Sequence, residues 1–349
     1  MERTNKIAII TTGGIGRIIC GIPALEHFVT DHTAKGKEVR IYCHGWSDLF
    51  LSNRILQPVV YDLETKESTD WIRQSIILSP EPYHDYEYMN QECNMIMAWF
   101  HALGYQDEEL KNRIPSIYLS KAEDIMAASA IKSLKEGIKK DKVVIFQPFG
   151  SGVTKLEGVQ IDGSHRSLSV EAANYLSGLI SKHAGVVYLG PDEFFPTNTT
   201  MISTAGVSPV RDTRFWASMI ANADAFIGID SMGYHMAQSF RKPGLLINGA
   251  TFPVNISYPG SRMGIYEKKD IDRKYLSLRL SNIDGMLADR YNESIMEFTN
   301  KELDECYQAF LESWNPKTSK AITKFPSKLS IPGNESKNKI SEIVTGIRK

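Results

Sequence analysis

In AFIGIDSMGYHMAQSF, residues 225–240, an apolar run ends in Asp230 and is followed at once by Ser231, Met232, Gly233 and then His235. This order predicts a strand that delivers a carboxylate to the carboxyl edge of a sheet, and a helix whose first turn offers free N–H groups and an imidazole. Such a terminus suits an anion, because unpaired N–H groups and the positive end of the helix dipole face outward. The plainer alternative makes Asp230 and Ser231 helix N-caps and His235 a satisfied histidine. TTGGIGRIICGIPAL, residues 11–25, poses a related question. Gly13, Gly14 and Gly16 permit a tight turn and close approach of another molecule. Their spacing is neither GxGxxG nor GxxxxGK[ST], so a dinucleotide or NTPase fold gains little support. Arg17 sets a permanent positive charge directly behind the glycines.

Three further segments could line the same cleft. QPFGSG (147–152) offers Gln147, Gly150 and Ser151, and Arg166 in HRSLS supplies a fixed cation ahead of a helix. LGPDE (189–193) ends a strand with Asp192 and Glu193, carboxylates suited to ribose hydroxyls, and GATFP (249–253) ends another. SPEPYHDYEYMNQ (79–91) carries Glu81, His84, Asp85 and Glu87, each a possible general base, interleaved with Tyr83, Tyr86 and Tyr88. Loops are commonly built from such residues, so solvation or packing is the ordinary reading of each alone.

The elements that must position these residues follow βαβ grammar. Short apolar runs at 6–10, 39–44, 58–63 and 75–79 predict strands, with helices over 18–30, 90–104 and 121–140. The pattern restarts with near-continuous apolar runs at 142–149, 185–190, 225–230 and 244–249, as parallel strands buried on both faces require. Helices are expected over 169–183, 214–223 and 233–240. The predicted fold class is α/β, two Rossmann-like doubly wound domains facing a central cleft: residues 1–140 and 141–298, then a helix at 299–316 and a tail from 317 to 349. Ligands of such sheets bind beyond the carboxyl ends of the strands.

The 349 residues suffice for two domains, and a net charge of −1 argues against an overall electrostatic grip on nucleic acid or anionic lipid. The tail holds eight Lys or Arg against two Glu, six positive charges in excess, and reads as a solvated segment. No apolar stretch approaches the length of a membrane span or a secretory core, so a cytosolic protein is expected. Cys20, Cys43, Cys93 and Cys306 form neither a CxxC pair nor a disulfide framework and read as buried thiols.

From about residue 6 to 262 the chain resembles the ADP-heptose:lipopolysaccharide heptosyltransferases of glycosyltransferase family nine, which have the two-domain GT-B fold. The glycine loop followed by Ile22, Pro23, Ala24 and Leu25 is similar to the family's loop and its "LPAL" helix. Asp230, Ser231, His235, Ala237, Pro243 and Gly249 match the pattern D-[ST]-G-x-x-H-x-A with its following proline, strand and glycine. The resemblance implies an inverting transfer from a nucleotide-diphosphate sugar, with no metal and no cofactor. By position, Asp230 would bind donor sugar hydroxyls. Ser231, Met232, Gly233 and His235 would hold the diphosphate, Arg166 would neutralise the leaving phosphate, and Glu193 would contact the donor.

Three departures accompany the likeness. Met232 replaces a glycine, residues 152–165 are inserted before Arg166, and Arg17 stands where the family has the Asp proposed as general base. Two explanations follow for Arg17: the base has moved to Glu81, His84, Asp85 or Glu87, or Arg17 grips an acidic acceptor. The acceptor is then expected to be a cell-surface glycan core. The alternatives are a hydroxymethylated DNA base, for which the tail and the tyrosines would serve, and a nucleotide-sugar binding module without turnover.

Overall fold

The computed structural model describes residues 5–150, 152–157, 159–162, 164–191, 194–201, 209–268 and 293–314. The tail lies outside them.

The N-terminal half contains strands β1 (Lys6–Thr11), β2 (Glu38–Cys43), β3 (Val60–Tyr61) and β4 (Ile76–Leu78), all parallel in the order β3-β2-β1-β4. Its helices are α1 (Ile15–Ala34), α2 (Lys66–Arg73), α3 (Tyr86–Met89), α4 (Met95–Ala102) and α5 (Lys121–Ile138). Helix α5 opens with a capping box between Ser120 and Glu123 and closes at Lys139, whose left-handed φ of 55° turns the chain into the second half.

The C-terminal half has β5 (Val143–Gln147), β8 (Gly185–Tyr188), β9 (Thr200–Met201), β10 (Ala225–Ile229), β11 (Gly244–Asn248) and β12 (Met263–Glu267), parallel in the order β12-β11-β10-β5-β8-β9. Around them lie α6 (Val170–Ser181), α7 (Pro209–Asn222), α8 (Met232–Ser239), α9 (Pro253–Ile256) and α10 (Asn300–Trp314). The segment expected as an insertion is an antiparallel hairpin, β6 (Val153–Leu156) and β7 (Val159–Asp162). Strands β5, β8, β10 and β11 are buried along their whole length, as their unbroken apolar runs require.

Each sheet reverses direction once, and that reversal places the site. In the first, β1 lies between β2 and β4, so the loops leaving β1 and β4 flank a crevice. In the second, β5 and β10 are neighbours from which the chain winds outward both ways, so the loops after β5 and β10 flank another. Helices α1 and α8 pack against each other across the two halves and join them in one apolar cluster.

Several boundaries differ from the expectations. Helix α1 starts at Ile15, so Arg17 is inside its first turn, and the 90–104 segment resolves into α4 alone, with α3 before it. The β6–β7 hairpin and strands β9 and β12 were not anticipated, because two to five residues beside polar turns give no clear period. Among the described residues no helix is long and apolar enough to cross a membrane.

Candidate active site

A cavity of about 580 Å³ lies where the two crevices face each other. Its walls include Gly14, Gly16 and Arg17 from the first half and Gln147, Gly150, Arg166, Asp230, Ser231, Met232 and His235 from the second. Ser151, Asp192 and Glu193 lie outside the described residues.

Helix α8 builds the centre of the second wall. Ser231 is its N-cap in residue position, with extended backbone, but its side chain makes no capping bond; its hydroxyl instead accepts from Gln147 Nε2 at 3.2 Å. Gln147 Oε1 in turn accepts the Gly233 N–H at 3.0 Å. One amide at the end of β5 thus spans the crevice and satisfies one of the four N–H groups that a helix start leaves unpaired. A Cβ on Gly233 would come within 2.4 Å of that Gln147 oxygen, which is why the position is glycine. Met232 is the first residue of the helix and needs no glycine there.

Arg166 is aimed by the hairpin. Asp162, at the end of β7, accepts from the backbone N–H groups of Ser164 and Ser167 at 2.8 Å each and so shapes the turn that carries it. Burial pushes the Asp162 carboxyl up, but hydrogen bonds from the Ser164 and Ser167 side chains, followed by these backbone bonds, outweigh it and hold the group below its usual range. Arg166 Nη1 donates to the Asp230 carbonyl at 3.0 Å and lies 3.7 Å from Asp230 Oδ2, while its Nε–H is buried and makes no hydrogen bond among the described residues. Asp230 Oδ2 also accepts from the Thr251 hydroxyl at 2.6 Å.

His235 stands between two unlike sides. Its Nε2 is 3.6 Å from Asp230 Oδ1, longer than a hydrogen bond, while its Nδ1 is 2.9 Å from the Tyr258 hydroxyl and 3.4 Å from Cys20 Sγ, themselves 3.2 Å apart. Burial holds the imidazole below its usual range, with Asp230 opposing and Arg166 assisting, so the ring is neutral at neutral pH. Burial also raises the Tyr258 hydroxyl well above the ordinary value and pushes the Cys20 thiol up to about 12. Two protonated donors therefore face Nδ1, and a carboxylate faces Nε2. This electrostatic pattern selects the tautomer with the proton on Nε2, where it points toward Asp230 and the cavity.

The first wall differs from the expectation. Gly16 packs under the His235 ring: a Cβ there would lie 2.7 Å from His235 Cδ2. Gly13 adopts φ +107°, and its carbonyl accepts from Trp46 Nε1 at 3.2 Å. Gly13 and Gly16 thus serve close packing as much as an open turn, while a Cβ on Gly14 would meet open space. Arg17 does not reach for an acidic acceptor. Its Nη1 donates to Glu81 Oε2 at 3.0 Å and its Nη2 to the Pro80 carbonyl at 2.9 Å, with the guanidinium over the Tyr83 and Trp99 rings at 5.7 and 5.5 Å. The side chain is 2% exposed. A cation in the first turn of a helix opposes the helix dipole, and Glu81 offsets that.

The candidate bases of residues 81–87 are not on the cavity wall. Glu81 is paired with Arg17, and His84 and Glu87 are exposed. Asp85 caps α3 by accepting from the Tyr88 N–H at 2.8 Å, and it also bonds His101 Nδ1 at 2.9 Å and Cys93 Sγ at 3.5 Å. The segment turns its charged residues toward α4 and solvent because Tyr83 and Tyr88 take the inward positions, where they line the cavity. Tyr86, by contrast, is 73% exposed. Ligand atoms of Asp85, Cys93 and His101 lie within 4.8 Å of one another, a spacing that a metal ion can use.

Sequence reasoning passed over Thr251, Tyr258 and Cys20, which set the state of Asp230 and His235, and over Trp216, Met95 and Ile256 on the walls. The loop from Thr251 to Tyr258 also ties the halves: Asn255 Nδ2 donates to the carbonyls of Tyr88 and Cys93 at 2.8 and 3.0 Å. The GATFP segment flagged this region, but nothing local shows that it folds back on β10.

No family model and no curated protein matches the chain. Solved structures do. A glycosyl transferase family 9 protein from Veillonella parvula superposes with a TM-score of 0.57 at 11% identity, covering 88% of this chain and 98% of its own. The chain has the GT-B fold. E. coli ADP-heptose lipopolysaccharide heptosyltransferase II gives 0.53 at 15% identity, with 88% and 98% covered. TibC, an iron-containing dodecameric glycosyltransferase from enterotoxigenic E. coli H10407, gives 0.55 at 13%, covering 91% of this chain and 79% of that one. At these identities the likeness is one of fold.

Proposed function

We propose that the protein is an inverting GT-B glycosyltransferase that moves a sugar from a nucleoside-diphosphate sugar to an acceptor hydroxyl. The observation that carries this reading is the second cavity wall: Arg166, the start of α8 and the Nε2–H of His235 converge beside one buried carboxylate, Asp230. In the reaction an acceptor oxygen forms a bond to the anomeric carbon as the bond from that carbon to the diphosphate oxygen breaks. The electron pair leaves with the diphosphate, and the acceptor proton passes to Asp230. Among the described wall residues Asp230 is the carboxylate and so the most basic oxygen available to a hydroxyl hydrogen. Charge developing on the leaving diphosphate meets Arg166, the N–H groups of α8 and His235, fixed groups that need little reorganisation.

Charge neutralisation is thus assigned to the chain's own residues, and turnover is expected to survive chelation with EDTA. The test is incubation with a panel of nucleotide sugars while nucleoside diphosphate release is followed. Release that depends on an acceptor supports the reading. Donor binding with no release for any acceptor reduces the protein to a nucleotide-sugar binding module, and unchanged donor affinity in His235→Ala removes the site altogether.

A further inference from the structure

We infer that Asp85, Cys93 and His101 form a structural Zn²⁺ site, set outside the cavity wall and bracing a segment that supplies part of that wall. Asp85 is the N-cap of α3, Cys93 comes just before the N-cap of α4, and His101 stands in the last turn of α4. The fold brings one ligand atom of each within 4.8 Å of the other two. Around a tetrahedral zinc ion with bonds of about 2.0–2.3 Å, ligand atoms stand about 3.3–3.6 Å apart. Cys93 Sγ is 3.5 Å from Asp85 Oδ1, and His101 Nδ1 is 2.9 Å from Asp85 Oδ2. An entering ion therefore opens only the second pair, by about 0.4 Å. The carboxylate is already held in place by the Tyr88 N–H.

The surroundings favour a cation. Among the described residues Asp85 and Glu87 pair with His101 and with no Lys or Arg, and the negative charges of Asp85, Glu87 and Glu92 all act on the Cys93 thiol. Glu87 Oε2 lies 3.9 Å from His101 Nε2, the ring nitrogen that Asp85 does not use. A ligating histidine commonly aims its second N–H at such a carboxylate, which fixes the tautomer and makes the first nitrogen more basic. A thiolate with an imidazole suits zinc, whereas magnesium and calcium take oxygen ligands. On binding, the Cys93 proton passes to solvent as the sulfur–metal bond forms, the His101 proton sits on Nε2, and water completes the coordination. The ion ties the turn before α3 to the end of α4. Between them Tyr88 and Met95 line the cavity, and the Tyr88 and Cys93 carbonyls accept from Asn255 of the second half. The ion thus braces the contact between the halves and takes no part in the transfer.

The test titrates Co²⁺, as the probe, into the full chain kept reduced and freed of metal by chelation. A thiolate-to-cobalt charge-transfer band should appear with the visible bands of a four-coordinate ion, saturating at one ion per chain. Zn²⁺ should then bleach these bands and raise the melting temperature. Cys93→Ser should abolish the charge-transfer band. Glu87→Gln, at an exposed position where the fold is not at stake, should weaken Co²⁺ binding about tenfold. Absence of the band, its persistence in Cys93→Ser, or a melting temperature indifferent to Zn²⁺ overturns the inference. If Cys93→Ser does not fold, Glu87→Gln decides, and unchanged Co²⁺ affinity there overturns it as well.

Discussion

The two cavity walls are built alike and charged differently. Each forms where a parallel sheet reverses its winding, with a glycine-bearing turn and a helix start at the strand ends. On the second wall Arg166 and His235 line the cavity beside the Asp230 carboxylate, and His235 turns its proton toward it. On the first, Arg17 is paired with Glu81 and bonded to the Pro80 carbonyl, and Tyr83 and Tyr88 line the cavity. One topology therefore supplies two sites, and the side chains decide which of them handles charge.

The largest effect expected from breaking this contrast is at Asp230. Asp230→Asn keeps the shape and the Thr251 contact but removes the proton acceptor, so turnover should fall by about 10²–10⁴-fold with the melting temperature little changed. Retention of more than a tenth of the activity would show that Asp230 is not the acceptor. Arg17 should report stability first. Arg17→Gln should lower the unfolding free energy by about 2–3 kcal/mol, below the full range for a buried pair because Glu81 keeps some contact with water. Urea titrations of both single variants and the double variant measure the coupling, and purely additive values would refute the pairing.

Gly16→Ala joins the two walls in one experiment. Its methyl would displace the His235 ring, a crowding of about 1–2 kcal/mol, read as a rise of roughly tenfold in KM for the donor. An unchanged KM would mean that the ring yields at no cost. Smaller still is Tyr258→Phe, which deletes the donor to Nδ1. A loss of about 1 kcal/mol is expected, together with a shift of the ¹⁵N signals of His235 away from a clean Nε2–H tautomer. If the native ring already carries its proton on Nδ1, the assigned tautomer fails.

The same histidine gives a pH effect with a definite sign. Its folded-state value is below the unfolded one, so between them the unfolded chain binds more protons, and stability rises with pH. The contribution is present above the usual imidazole value of about 6.5 and is lost as pH falls below it. His235→Gln should flatten this part of the stability curve.

Much of this was legible in the chain. The apolar runs of β5, β8, β10 and β11 announced buried parallel strands; Gln147 and Asp230 were singled out from strand ends, Arg166 and His235 from helix starts, and all four line the cavity. The charged residues around Asp85 carried equal chemical promise, yet two tyrosines of the same segment occupy the wall. A local pattern does not show which side of a loop faces inward, because that depends on what the loop packs against. Thr251, Tyr258 and Cys20 escaped for the same reason: each acts through a partner that is distant in the chain.

By itself the amino-acid sequence determined the two α/β halves and the residues at the strand ends, since strand periodicity and turn chemistry are local properties. Only the tertiary structure decided what Arg17 does. Its partner Glu81 lies 64 residues away, after β4, and the two meet because β1 and β4 are neighbours in the sheet. Whether a charge serves a ligand or the fold depends on the nearest opposite charge, and that distance is set by topology.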